Sequence, residues 1–381
     1  MKKIVIISTT VITIECFLFN HIQKLIKEGF QIFIITNIKN NFLIKNQNIK
    51  LVNLNFHRNI SPLFDLFCLV KLFFFLKKIS PDLVLSISPK AGFLTSIVSF
   101  FLRIRFRIHI FTGQVWANKN GLFKKLLKFF DKIIIKFSTH VIVDSYSQKK
   151  FLFRNNLFKD QKKCFVIGNG SVCGVDTNKF SRNYENRLLL RKKLNIDNNS
   201  IIIIFVGRIN YEKGILNLID AFKKIYLFKK NIILFLVGRD EINLRRHFIN
   251  KKIFNNIKIF NHSKKIENFF QASDIYCLPS EREGFGVSVI EASSCQLPVV
   301  CSDIYGLKDS SIHNFTGLKF KLGQNHELEQ SLIKLIEDKK LREKYGKQGR
   351  QMVKKNFEKN KVINGYINFI KKLLSQNSIY K

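Results

Sequence analysis

The sequence predicts an α/β protein built as two Rossmann-like domains, and three observations lead there. Short β-branched and apolar runs alternate with helical stretches from end to end, the pattern of parallel sheets. At 381 residues the chain is too long for one ordinary core and suits two. A glycine-rich polar stretch, Gly168-Asn169-Gly170 and then Gly174-Val175-Asp176, interrupts the alternation near its middle.

In the first half, Ile4–Ile7, Gln31–Thr36, Leu51–Asn55, Leu83–Ile87, Arg107–Phe111, Val141–Asp144 and Cys164–Ile167 read as buried strands. Helical patterns lie between them at Glu15–Glu28, Leu63–Lys78, Ala91–Leu102 and Leu122–Phe137. The second half opens at Ile201–Val206 and continues with strands Ile232–Val237, Ile257–Phe260, Ile275–Leu278 and Val299–Cys301. Helices Leu328–Glu337, Leu341–Lys354 and Asn360–Leu374 close the chain. These elements predict a first domain over 1–175 and a second over 183–357. No internal repeat or low-complexity tract interrupts them.

Composition narrows the class. Hydrophobic residues are 46% and charged residues 24%, a globular balance rather than a disordered one. The 65 Lys plus Arg against 27 Asp plus Glu leave a net charge of +38. Nucleic-acid binding, a seat on an anionic membrane, and compositional drift compete to explain it. The 39 Phe, with abundant Ile, Asn and Lys, fit an A/T-biased coding sequence, which raises lysine without a partner. The basic residues are spread along the chain with no nucleic-acid motif, so no nucleic-acid partner is expected. Drift accounts for much of the charge, and membrane affinity is a use for the rest. The seven cysteines form no CxxC pair and no zinc-like cluster, which suits reduced thiols in the cytoplasm. Lys2-Lys3 before an apolar run imitates a signal peptide, but Glu15 and the lack of a small-x-small site favour a first strand. Leu66–Leu76 is broken by Lys71 and Ala91–Leu102 is too short to span the ~20 residues of a bilayer.

The stretch that carries most chemistry is Pro279 to Val300, PSEREGFGVSVIEASSCQLPVV. Glu283 and Glu291 stand eight positions apart, joined by a glycine loop that enters a helical pattern. The strand before it, Ser273–Leu278, makes this a strand–loop–helix unit, whose backbone N–H groups and dipole suit a phosphate. Carboxylates suit sugar hydroxyls instead. Together they point to a ligand with both groups, a nucleotide-sugar; an ordinary βα turn with two solvated glutamates is the plainer reading. The segment resembles the retaining glycosyltransferases of the GT4 family, which have the GT-B fold. Their Glu–seven residues–Glu signature around E-G-F-G, with E-A and a P-V-V strand after it, is matched by Glu283, Gly284, Phe285, Gly286, Glu291, Ala292, Pro298, Val299 and Val300.

The resemblance implies two Rossmann-like domains facing across a cleft, with the closing helix (358–381) crossing back to the first. It implies that Glu283 contacts the donor sugar and Glu291 the ribose hydroxyls. After the strand Ile201–Val206, Gly207-Arg208 and Glu212-Lys213-Gly214 match the family residue for residue. A guanidinium and an ammonium there suit the charge that grows on a leaving diphosphate. With that role filled, no metal is required, and no cofactor is expected. In a protein this basic, Arg208 and Lys213 also read as an ordinary basic loop. Gly238, after Ile232–Val237, matches the family glycine that faces the nucleotide; Arg239 beside it is either a phosphate contact or a surface charge.

The first domain follows the family pattern less closely. The loop after the first strand lacks the usual glycine pair, leaving the hydroxyls of Thr9, Thr10 or Thr13 as donors. Lys90 follows another strand, and Thr112-Gly113-Gln114 with Trp116, the single tryptophan, follows a third, a composition suited to stacking on and hydrogen-bonding a sugar. Strand C-termini are where open α/β sheets place ligands, so these are the acceptor-side candidates. His109 is the histidine nearest to where family members carry one, and it reads as a packed strand residue. Gly121–Lys136 is amphipathic, with lysines at 124, 125, 128, 132 and 136. It reads equally as a helix on an anionic membrane or as a crossover helix with a solvated face.

The expectation is therefore a cytoplasmic enzyme, peripheral on the inner face of the membrane. It would move a hexose or N-acetylhexosamine from a nucleotide-sugar, UDP-linked, to a lipid-linked saccharide in bacterial surface polysaccharide assembly. A nucleotide-sugar 2-epimerase of GT-B fold and a non-enzymatic basic nucleic-acid- or membrane-binding protein remain the alternatives.

Overall fold

Two parallel sheets organise the chain in the computed structural model, which describes residues 1–38, 48–57, 60–158, 160–244, 253–261, 263 and 265–375. They belong to two units: Met1–Gly174 with Asn360–Lys381, and Val175–Lys359. The last six residues of the closing helix expected over 358–381 lie outside the described residues. No helix among the described residues is long and apolar enough to cross a membrane.

The first sheet has β1 (Lys3–Ser8), β2 (Gln31–Thr36), β3 (Ile49–Asn53), β4 (Leu83–Ile87), β5 (Phe106–Phe111), β6 (His140–Val143) and β7 (Cys164–Val166). Their order is β3-β2-β1-β4-β5-β6-β7, with Ile4 beside both Ile32 and Leu83. The chain winds outward from β1 to β3 and then returns to β4, so the winding direction reverses between β1 and β4. The helical pattern expected from Glu15 begins earlier, as α1 (Val11–Thr13), a π-helical turn Ile14–Leu18 and α2 (Phe19–Lys27). The wider turn lets Ile14 and Leu18 both reach the core. On the other face lie α3 (Pro62–Ile79), α4 (Pro89–Phe101), α5 (Gly121–Phe137) and α6 (Tyr146–Arg154). Val5 and Ile7 pack against Leu72, Leu76 and Leu94 on that side.

The second unit carries β8 (Ile201–Val206), β9 (Ile232–Val237), β10 (Ile257–Phe260), β11 (Ile275–Leu278), β12 (Val299–Ser302) and β13 (Gly317–Phe320), in the order β10-β9-β8-β11-β12-β13. Helices α7 (Tyr184–Lys193), α8 (Ile215–Phe228), α9 (Ile266–Ala272), α10 (Val287–Ser294), α11 (Asn325–Glu337) and α12 (Lys339–Asn356) cover it. β13 is not among the expected strands, because its sequence, Gly-Leu-Lys-Phe, is too short and mixed to carry a period. It forms because Gly317 can lie against β12, where a Cβ would sit 1.9 Å from the Val299 carbonyl oxygen. α13 (Lys359–Ser375) closes the first unit, packing Val362, Tyr366 and Ile370 with Ile4, Ile6 and Ile22. The second sheet reverses its winding between β8 and β11, and their C-terminal loops carry the motifs read above.

Candidate functional site

The loop after β8 and the loop after β11 are joined at three points. Asn210 caps a short turn, its Oδ1 accepting from the Lys213 backbone N–H at 3.1 Å, which aims the Lys213 side chain. Lys213 Nζ donates to Glu283 Oε1, and Ser280 Oγ donates to the same oxygen at 2.7 Å. One residue earlier on each loop, Arg282 pairs with Glu212 at 2.9 Å. The Glu281 backbone N–H donates to the Glu212 carbonyl at 2.9 Å. Gly214 permits this approach: its φ is +66°, and a Cβ would fall 2.0 Å from the Pro279 carbonyl oxygen. The sheet topology thus brings Lys213 and Glu283, seventy residues apart, to one point beside the switch in strand order.

Arg208 extends from the same loop, 41% exposed, and pairs with Glu241 at 3.0 Å. Asn210 Nδ2 donates to the same Glu241 oxygen at 2.9 Å. Behind them, a Cβ on Gly238 would lie 1.8 Å from the Gly207 carbonyl oxygen, so the ends of β8 and β9 meet backbone to backbone. Arg239 is exposed.

Glu291 sits one turn into α10, which is preceded by Gly286 at φ +76°. Its carboxyl is half-buried and accepts no hydrogen bond from the described residues. Burial pushes its pKa up to about 8; nearby Lys179 opposes the shift and Glu267 adds to it. Phe285, expected beside the donor, is instead a core residue, 3% exposed and packed edge-on against Phe357. It anchors the loop on which Glu283 and Gly284 stand.

On the first unit, Thr10, Lys90, Thr112 and Gly113 all follow strands at the C-terminal edge of the sheet. Thr10 Oγ1 is 2.9 Å from Thr13 Oγ1, and Thr9 bonds Ser88 across the β1–β4 reversal at 3.1 Å. Lys90 lies in the first turn of α4 and pairs with Asp65 at 2.7 Å. Two expectations are corrected here. Trp116 cannot stack on a sugar: it is 1% exposed, lies flat against Phe151, and its Nε1 donates to Asp131 at 2.7 Å. Gln114 is likewise enclosed, its Oε1 accepting from Gln148 at 3.2 Å. The indole N–H and the Gln114 amide oxygen both find their partners inside the fold, as buried polar groups tend to. His109 is buried against Phe111 and bonded to Ser86 at 2.8 Å, and burial lowers its pKa to about 3.

Sequence reading missed Ser280, Asn210 and Glu241. Asn210 was open to it, since an Asn three residues before the end of a tight turn signals a cap. Ser280 and Glu241 carry no pattern of their own; their partners are chosen by the sheet.

With this geometry in place, comparison with known proteins gives one answer. Residues 186–352, nearly all of the second unit, match the family Glycosyl transferases group 1. The capsular polysaccharide biosynthesis glycosyltransferase CapM of Staphylococcus aureus is 30% identical over 306 residues, covering 79% of each chain. The UDP-Gal:alpha-D-GlcNAc-diphosphoundecaprenol alpha-1,3-galactosyltransferase of Escherichia coli is 27% identical over 331 residues, covering 85% of this chain and 81% of that one. In fold, the sucrose-phosphate synthase of Thermosynechococcus elongatus superposes with a TM-score of 0.82 over 99% of this chain and 100% of that one, at 19% identity. The two doubly wound units are those of the GT-B architecture. Motif, fold and sequence similarity agree: the chain belongs to the group 1 glycosyltransferases and is a glycosyltransferase of GT-B fold.

Proposed function

We propose that the second unit binds a UDP-linked hexose or N-acetylhexosamine. The chain then transfers the sugar, with retention, to a lipid-linked saccharide bound by the first unit at the inner face of the membrane. The observation that carries the donor assignment is the Lys213–Glu283 pair at the switch point, with Arg208 on the same loop. A diphosphate is a stronger partner for two cations than one carboxylate, and it takes Lys213 from Glu283. Glu283 is then free to accept from the donor sugar's hydroxyls. Glu291, whose carboxyl accepts no hydrogen bond from the described residues, accepts from the ribose.

In the reaction the bond from C1 of the sugar to the diphosphate oxygen breaks, and a bond from C1 to the acceptor hydroxyl oxygen forms on the same face. The acceptor proton passes to the departing diphosphate, whose charge Arg208 and Lys213 balance, while Glu283 steadies an oxocarbenium-like sugar. The name of the Staphylococcus aureus relative supports a polysaccharide setting, and the E. coli protein's name supports a UDP-sugar and a diphosphoundecaprenol acceptor. Lysines of α5 supply a basic surface for anionic lipid.

A panel of UDP- and GDP-sugars tests the donor by thermal shift. The stabilising sugar is then incubated with a prenyl-diphosphate saccharide, and the product anomer is read by NMR. Stabilisation by a UDP-sugar and an axial product linkage are expected. Stabilisation by GDP-sugars alone, or an inverted linkage, overturns the corresponding part of the reading.

A further inference from the structure

α3 is apolar on every side and yet only half covered. Asp65, Lys71, Lys77 and Lys78 are its only charged residues. Cys68, Leu72, Leu76 and Ile79 face the sheet. On the opposite side Leu63, Phe64, Leu66, Phe67, Val70 and Phe74 are between 45% and 83% exposed. A helix apolar all round belongs in a core or a membrane, and a continuous exposed apolar face marks an interaction surface.

Its surroundings say what that surface meets. α4 packs against α3 on one side and α5 on the other, so the three form one layer. Each follows a parallel strand and runs back along the sheet, which puts its N-terminal half near the C-terminal edge. The exposed apolar residues of α3 fall mostly in that half, as do Leu122, Phe123 and Leu126 of α5. No free carboxylate stands among them: Asp65 is paired with Lys90 and Asp131 is buried beneath Trp116. Lys71, Lys77 and Lys78 of α3 and Lys124, Lys125, Lys128, Lys132 and Lys136 of α5 are the charges that remain. A second copy of a chain carrying +38 would be repelled from such a face, whereas an anionic lipid surface complements both its charge and its apolar side chains.

We propose that α3 is the element that enters an anionic bilayer. Its Phe and Leu face sinks to the headgroup–acyl boundary while the lysines of α3 and α5 hold lipid phosphates. This deepens the membrane-surface reading above and rests on it. It also places the C-terminal edge of the first sheet, where the acceptor-side residues stand, at the depth of a lipid headgroup.

The test uses the full chain and vesicles of phosphatidylglycerol with phosphatidylcholine, against phosphatidylcholine alone. The indole introduced by Phe67→Trp should shift its emission to the blue on the anionic vesicles only and be quenched by brominated acyl chains, while buried Trp116 gives a constant background. Phe64→Ser with Phe67→Ser should weaken vesicle binding about tenfold or more, most visibly at high salt where the lysines are screened. Lys124→Gln, Lys125→Gln and Lys128→Gln together should weaken it chiefly at low salt. Thermal melting of each variant without vesicles checks that it folds. If the Phe67→Trp variant binds anionic vesicles but its emission does not move, α3 is not the contact and the membrane-surface reading survives alone. Failure to bind anionic vesicles at all overturns both. A dimer in solution that Phe64→Ser with Phe67→Ser dissolves assigns the face to a second copy and overturns the proposal.

Discussion

Lys213 and Glu283 are ion-paired across the reversal point of the second sheet, and Ser280 donates to the same Glu283 oxygen at 2.7 Å. The pair keeps both charges compensated in a partly enclosed site, where a lone charge would be costly. In the proposed donor site, binding of a diphosphate would exchange this ion pair for another. Arg208 is likewise paired, with Glu241.

The first prediction concerns this cation. Lys213→Ala should lower kcat about 10²- to 10³-fold, because the charge it balances grows in the transition state. UDP affinity should fall less. Activity should persist in EDTA, since Arg208 and Lys213 supply the charge a metal would otherwise carry. Loss of activity in EDTA with recovery on adding Mg²⁺ contradicts the assignment, as does a Lys213→Ala enzyme with parental kcat.

Glu291 leads to a pH dependence with a definite sign. Its carboxyl is held up at about 8 by burial, so near neutrality it is mostly protonated. Ribose hydroxyls that donate to it favour the ionised form, so UDP binding must release a proton below that pH. UDP affinity should therefore rise with pH toward 8 and then level off. Glu291→Gln should bind about ten- to a hundredfold more weakly at high pH and show no such slope. Calorimetry in buffers of different ionisation enthalpy reads the proton directly; no proton release by the parent removes Glu291 from the ribose.

Gly214 separates close approach from backbone strain. Gly214→Ala must resolve both a φ of +66° and a 2.0 Å overlap with the Pro279 carbonyl. Gly323→Ala is the control, with φ +87° and open space around it. The control should lose about 1–2 kcal/mol in urea unfolding. Gly214→Ala should lose more, and it should weaken UDP binding by spreading Lys213 from Glu283. Equal losses in the two variants with unchanged UDP binding show that the loops need not touch.

Asp131 makes the first unit sensitive to pH. Burial raises its pKa from 3.8 to about 7, and the Trp116 N–H only partly offsets this. Between those values the folded chain keeps a proton that the unfolded chain gives up. Stability is therefore lost as pH rises through that window, and the loss is complete above about 7. Asp131→Asn keeps an acceptor for Trp116 and removes the penalty, so it should melt above the parent at pH 8 but not at pH 4. Asp131→Ala leaves the indole N–H unmatched and should cost about 1–3 kcal/mol even at pH 4. Trp116, the single tryptophan, reports the change by fluorescence.

The sequence by itself determined the parallel sheets, because strands buried on both faces must be apolar throughout and such runs are legible without coordinates. It also made legible the motif proposed to hold the donor, since Gly207, Gly214, Gly238 and Gly286 mark the turns while Arg208, Lys213, Glu283 and Glu291 keep fixed sequence distances from them. Only the tertiary structure decided what each polar residue faces. Trp116 looked like a sugar platform and is a core residue, because Asp131 on α5 satisfies its indole. Phe285 looked like a donor contact and is a core residue packed on Phe357. Leu63–Lys78 read as a helix and is one, but only the fold shows that one of its apolar faces is bare to the outside. Periodicity and spacing are properties of neighbours along the chain and survive in the sequence. Burial and pairing are set by neighbours in space, and those are chosen by how the strands order themselves in the sheet.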